Sequence, residues 1–104
     1  MTDTVALDRR PLLIDSGRLR RGAELGVERL GPRQFRVQGQ RHPSYDVDLD
    51  GDPPCTCDDW LWRGERTPCK HLCAALLQER DPRVMSVYVA LLEAEVRLGR
   101  ALGR

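Results

Sequence analysis

No stretch of this chain is apolar for long enough to cross a bilayer, and its N-terminus lacks the charged-then-apolar pattern of a secretory signal. The expectation is therefore a cytoplasmic protein with no membrane partner. Lysine is nearly missing: Lys70 stands alone against 16 arginines. Aromatic residues are few, limited to Phe35, Tyr45, Trp60, Trp62 and Tyr88. A formal net charge of +1 provides no global field to draw in nucleic acid or an anionic membrane. Any basic surface has to be local. With 104 residues the chain has the size of one ordinary domain and can bury only a modest core.

Residues 1–15 mix polarity around Pro11 and read as a loose leader, with a short extended piece at Leu12-Leu13-Ile14. Ser16 can cap a helix that starts near Gly17, with Leu19, Ala23 and Val27 on one side and Arg18, Arg20 and Arg21 around the rest. Gly22 and Gly26 keep that helix short. From Val27 to Asp50 the period changes to two. Val27, Arg29 and Leu30 lead to a Gly31-Pro32 turn, and Phe35 and Val37 then alternate with Arg36 and Gln38. After a turn at His42-Pro43-Ser44, Tyr45, Val47 and Leu49 alternate with Asp46, Asp48 and Asp50. That pattern predicts a half-buried antiparallel meander. His42 reads as exposed and without a role.

Four cysteines, Cys55, Cys57, Cys69 and Cys73, crowd into 19 residues directly after Gly51-Asp52-Pro53-Pro54. In a reducing compartment such crowding means metal ligation or redox chemistry rather than a disulfide framework. Residues 58–68 read as a loop carrying Trp60 and Trp62. Thr67-Pro68 then offers a capping hydroxyl and a proline suited to a first helical turn, with the helix running through Leu72, Ala75, Leu76 and Leu77 to about Glu79. Asp81-Pro82 opens a last helix over 82–102 with an apolar stripe of Val84, Val87, Tyr88, Leu91, Ala94, Leu98 and Leu102, expected to close over the sheet.

Cys55-x-Cys57, eleven residues, then Cys69-x-His71 supplies three sulfurs and one nitrogen, a set that suits tetrahedral zinc. Side chains two apart on an extended strand share a face. Two apart on a regular helix they diverge by about 200°, so Cys69 has to precede the helix and His71 has to enter its first turn. An all-cysteine shell stays open, because Cys73 follows Cys69 by four residues and shares its face on a continuous helix. In that case His71 would be free. Otherwise Cys73 is a small core residue.

CxC…CxH after a short sheet and before an apolar helix resembles the SWIM zinc finger. The resemblance is carried by Phe35-Arg36-Val37 through Tyr45-Asp46-Val47, Cys55-Thr56-Cys57-Asp58-Asp59-Trp60 and Pro68-Cys69-Lys70-His71-Leu72, and covers about residues 34–79. It implies one structural zinc on Cys55, Cys57, Cys69 and His71, with Cys73 outside the shell. A common family pattern places proline directly after CxC, where this chain has Asp58. The resemblance also implies DNA binding or protein–protein contact.

The expected fold is α+β: a small antiparallel β-meander, a zinc knuckle joining a strand end to a helix start, and flanking helices. Residues 16–104 form a single zinc-binding domain. A closed four-donor shell leaves zinc no open position for water, and no carboxylate pair or Ser-His-Asp set is recognisable, so no enzyme and no small-molecule substrate is expected. Two partner classes remain. DNA would meet Arg18, Arg20, Arg21, Trp62, Arg63, Arg66 and Lys70. A protein partner, such as a larger ATPase, transposase or recombination factor, would meet an apolar surface instead. Solvated helix surface is the plain reading of the N-terminal arginines, and Arg63, Arg66 and Lys70 can equally offset the negative charge of the metal centre.

Overall fold

The computed structural model describes residues 7–39, 44–63 and 66–101. After a single 3-10 turn at Leu7–Arg9 come α1 (Ser16–Ala23), strands β1 (Val27–Gly31), β2 (Gln34–Val37) and β3 (Tyr45–Asp48), then α2 (Asp58–Arg63), α3 (Lys70–Gln78) and α4 (Pro82–Ala101). The strands form one antiparallel sheet in the order β1-β2-β3. Val27 faces Val37 across the first pair, and Phe35 faces Val47 across the second. The period-two pattern therefore does what alternation dictates: Phe35, Val37, Val47 and Leu49 are buried, and Arg36 pairs with Asp46 on the outer face. The expected α+β meander is present. The turn at His42-Pro43, the role of His42 and Leu102 lie outside the described residues.

Helix α3 is the central element. His71, Leu72, Cys73, Ala74, Ala75 and Leu76 are all buried in it, and it touches α1, α4 and all three strands. Helix α1 lies against it closely enough that a Cβ on Gly22 would fall 2.5 Å from the carbonyl oxygen of Lys70 and 3.0 Å from the Ala74 nitrogen. Gly22 is thus the crossing point of two helices. Helix α1 is capped by Asp15, whose carboxylate accepts from Arg18 N at 2.8 Å, rather than by the expected Ser16. A carboxylate adds favourable charge at the positive helix end, and Ser16 becomes the first helical residue.

Helix α4 packs on α1 and α3 rather than over the sheet. Val84 is buried, while Val87, Tyr88 and Leu91 lean on the core. Beyond them the helix outruns the body, and Leu98 is exposed. Nor are residues 7–14 loose. Leu7 is buried, Leu12 and Ile14 pack on the core, and Leu13 N–H donates to Arg66 O at 2.8 Å. Arg83 donates to the carbonyls of Leu7 and Arg10 while holding Asp81 at 2.7 Å, so the base of α4 ties the leader down. The hydrogen-bonding guanidinium lies more than 70 positions from the leader, which is why local sequence patterns miss it.

Candidate metal centre

Each of the four donors reaches the site by a different local device. Between Asp48 and Cys55 the chain loops, and Asp48 N–H donates to Pro54 O at 3.0 Å. That bond returns Cys55 to the end of β3, so the thiols follow a loop rather than continuing the strand itself. Cys57 stands at the head of α2: its carbonyl accepts from Leu61 N and its Sγ accepts from Trp60 N at 3.5 Å. Cys69 is the N-cap of α3, with φ −68° and ψ 170°, and its Sγ accepts from Leu72 N at 3.4 Å. An extended Cys69 followed by a helical His71 is the interruption that the CxH spacing requires. The cap is the cysteine, not Thr67, and Pro68 stands before it. Two of the sulfurs therefore accept helix N-terminal amides, which stabilises them as thiolates.

The ligand atoms of Cys55, Cys57, Cys69 and His71 all lie within 4.8 Å of one another, and all four residues are buried. His71 turns Nδ1 toward the sulfurs, 3.9 Å from both Cys55 Sγ and Cys69 Sγ. Zinc bonded at its usual lengths to nitrogen and sulfur spaces such donors by about 3.6 Å, so the donor set fits this ion. Without a cation the three thiols compete for one negative charge. Hydrogen bonds from Cys55 and then Cys69 hold Cys57 far below the ordinary thiol range. Its bond with Cys57 pushes Cys55 up to about 11, and bonds with Cys55 and Cys57 drive Cys69 higher still. A divalent ion removes the competition, since all three sulfurs can then be anionic. When bound, zinc would cross-link the end of β3, the head of α2 and the start of α3.

Cys73 is not part of this cluster. Its Sγ points to Pro68 O at 3.7 Å from the core side of α3, and burial pushes its thiol up to about 12. The all-cysteine alternative fails because Cys69 precedes the helix, so the four-residue spacing does not place both sulfurs on one face.

Residues 58–63, expected as loop, form α2, and this decides the two tryptophans. Asp58 and Asp59 in the first turn are the helix-start signal that the sequence reading passes over. Residues two apart on a helix point nearly opposite ways. Trp60 is accordingly buried over the knuckle, while Trp62 is 87% exposed. Among the expected nucleic-acid contacts, Arg18 is spent internally. Its side chain is only 12% exposed and grips both oxygens of Asp59, at 2.7 and 2.9 Å. Arg20 pairs with Glu95 of α4 at 2.6 Å. Arg21 and Arg66 are exposed and Lys70 half-buried, and among the described residues none of the three has an ion pair. The Arg63 side chain lies outside the described residues. A cleft of about 490 Å³ opens beside the cluster, lined in part by Arg21, Tyr45, Asp58, Lys70 and His71.

Three thiols and an imidazole closing on one point, carried by a sheet end and two helix starts, define a zinc-knuckle binding module. Residues 45–79 match the model of the SWIM zinc finger, from the first residue of β3 to Glu79, the C-cap of α3. This segment of the chain is a SWIM zinc finger, with one structural zinc as its cofactor. No curated protein and no solved structure matches the chain. No helix among the described residues is long and apolar enough to cross a membrane.

Proposed function

We propose that the chain is a nucleic-acid-binding accessory module of DNA transactions, in which zinc on Cys55, Cys57, Cys69 and His71 holds a recognition surface in place. The observation that carries this reading is Trp62. An indole 87% exposed on a six-residue helix adds nothing to the core, whereas a flat aromatic face stacks on an unpaired base. Asp58, Asp59 and Trp62 share one face of α2 by their spacing of three and four. Trp62 thus stands on the side of α2 that carries Asp58 and Asp59, which line the cleft together with Arg21 and Lys70, and Arg66 is exposed. Those three cations, with Arg63, are the phosphate contacts in this reading; Arg18 leaves the set as a largely buried partner of Asp59, and Arg20 is engaged at the surface by Glu95. The reading contains no catalytic step, and its reduced thiols suit the cytoplasm.

Titration of the zinc-loaded protein with single- and double-stranded 12-mers, followed by tryptophan quenching at low and moderate salt, tests it. Salt-sensitive binding that favours the single strand is expected, with Trp62→Ala weaker by about tenfold. No salt-sensitive binding to either form would remove the reading.

A second reading is favoured by a different observation. On the free half of α4, Val89, Leu92 and Val96 form an exposed seam at spacings of three and four, edged by Glu93 and Arg97. A seam of that kind suits a helix of a protein partner, which is the adaptor role. A partner that binds wild type but not Val96→Glu, with DNA binding absent in both, would establish the adaptor instead.

A further inference from the structure

His71 leaves one polar atom unaccounted for. Its Nε2 is buried and, among the described residues, has no hydrogen-bond partner. An imidazole that ligates through Nδ1 keeps its proton on Nε2. A metal-bound histidine ordinarily passes that proton to a carboxylate, carbonyl or water, and the acceptor fixes the ring. Here the neighbour is the Tyr45 ring, at 4.5 Å between centroids and tilted by 37°, which supplies packing and no recorded acceptor. His71 is only 4% exposed and forms part of the wall of the 490 Å³ cleft.

The same cleft gathers two cations, Arg21 and Lys70, that make no ion pair among the described residues. Arg21 enters it from the last turn of α1, and Lys70 from the first residue of α3, whose positive dipole end also faces the knuckle. Arg18 and Asp59 line it as a pair that cancels, and Asp58 is the opposing charge. Among the described residues, a donor without an acceptor, two cations outside any ion pair and a helix start suit a compact anion with several oxygens. Phosphate meets all three demands at once.

We propose that the cleft seats a backbone phosphate of the nucleic acid, with His71 Nε2–H donating to one phosphate oxygen while Arg21 and Lys70 flank the charge. This rests on the nucleic-acid reading above. The zinc ligand is then also a recognition residue, and loss of zinc costs phosphate contact as well as fold. Trp62, on the continuing face of α2, would meet the base next to that phosphate.

The test uses zinc-loaded full chain on a His42→Gln background, so that a single imidazole is observed by nitrogen-15 NMR. Oligo(dT) of twelve nucleotides is expected to shift the His71 Nε2–H signal. Arg21→Gln and Lys70→Gln, each still holding one zinc per chain, should bind the oligonucleotide about three- to tenfold more weakly, with the salt slope lowered by about one. Arg97→Gln, the same charge change on the free half of α4, should leave binding unaltered. Binding that persists with an unmoved Nε2–H signal and unaffected by either cleft variant would overturn the proposal while the nucleic-acid reading stands. A Nε2–H shift with inorganic phosphate but no binding of the oligonucleotide would assign the cleft to free phosphate and overturn both. No response to either probe would do the same.

Discussion

Arg18 on α1 holds both carboxylate oxygens of Asp59 on α2, at 2.7 and 2.9 Å, across 41 positions of sequence. This fork ties the N-terminal helix to the short helix α2 that follows Cys57, so an arginine that looks like part of a basic patch braces the metal knuckle. The Asp59 side chain is about one-third exposed, which screens the pair and limits its worth. Arg18→Ala is expected to lower stability by about 1 kcal/mol, read from urea unfolding, with zinc stoichiometry unchanged. Arg18→Lys should recover little, because an ammonium cannot reproduce the two-pronged contact. A neutral Arg18→Ala would show that the pair does not brace the knuckle.

Gly22 sits where α1 crosses α3, and the close approach there is to backbone rather than to a flexible side chain. Alanine would ordinarily stabilise a helix relative to glycine by up to about 1 kcal/mol. Here its Cβ has to move Lys70 O or the whole helix. Overpacking costs about 1–3 kcal/mol, so Gly22→Ala should be net destabilising in thermal or urea melts. Because Lys70 precedes His71, the same variant should also lose zinc faster to a chelator. A stabilised Gly22→Ala protein would mean that the helices separate freely.

The elements that sequence makes legible here are those set by local rules. Alternation places Phe35, Val37, Val47 and Leu49 inside, and the CxC…CxH spacing with Pro68 before Cys69 anticipates an extended cap followed by a helical ligand. Helix α2 escapes because six residues give too short a period to register, although Asp58 and Asp59 mark its start. The roles of Arg18, Gly22 and Arg83 are not legible at all, since each depends on a partner 41 or more positions away. Charge runs in sequence do not say which members are spent: of Arg18, Arg20 and Arg21, the first is held inside by Asp59 and the second pairs with Glu95 at the surface.

The metal cluster predicts an asymmetry between two neighbours on α3. His71 supplies a donor to the cluster, and Cys73, one turn from Cys69, faces the core. His71→Ala should lose most bound zinc as measured by elemental analysis of purified protein. Cys73→Ala should keep one ion per chain and lose about 1 kcal/mol through a small cavity. Removing zinc from the unaltered protein should loosen the knuckle, because ion binding and folding are coupled in such sites. Full zinc occupancy in His71→Ala would assign the fourth position elsewhere.

Acid should act through Asp81 as well as through the thiols. The Arg83 guanidinium bonds both oxygens of Asp81 and holds its carboxyl below the ordinary carboxylate range. A carboxyl whose folded pKa is depressed binds fewer protons folded than unfolded. Its contribution is therefore complete above the ordinary value near 4, and it is lost as pH falls through the lowered one. Asp81→Asn removes it at every pH. The gap in unfolding free energy between wild type and variant should be about 1–2 kcal/mol and flat between pH 5 and 7, then shrink below about pH 4. Both proteins release zinc alike in acid, so the difference isolates the pair. Because the same Arg83 holds the carbonyls of Leu7 and Arg10, the variant should also expose residues 7–14 to faster protease cleavage at neutral pH. A gap that widens toward low pH would show that Asp81 is not held ionised by Arg83.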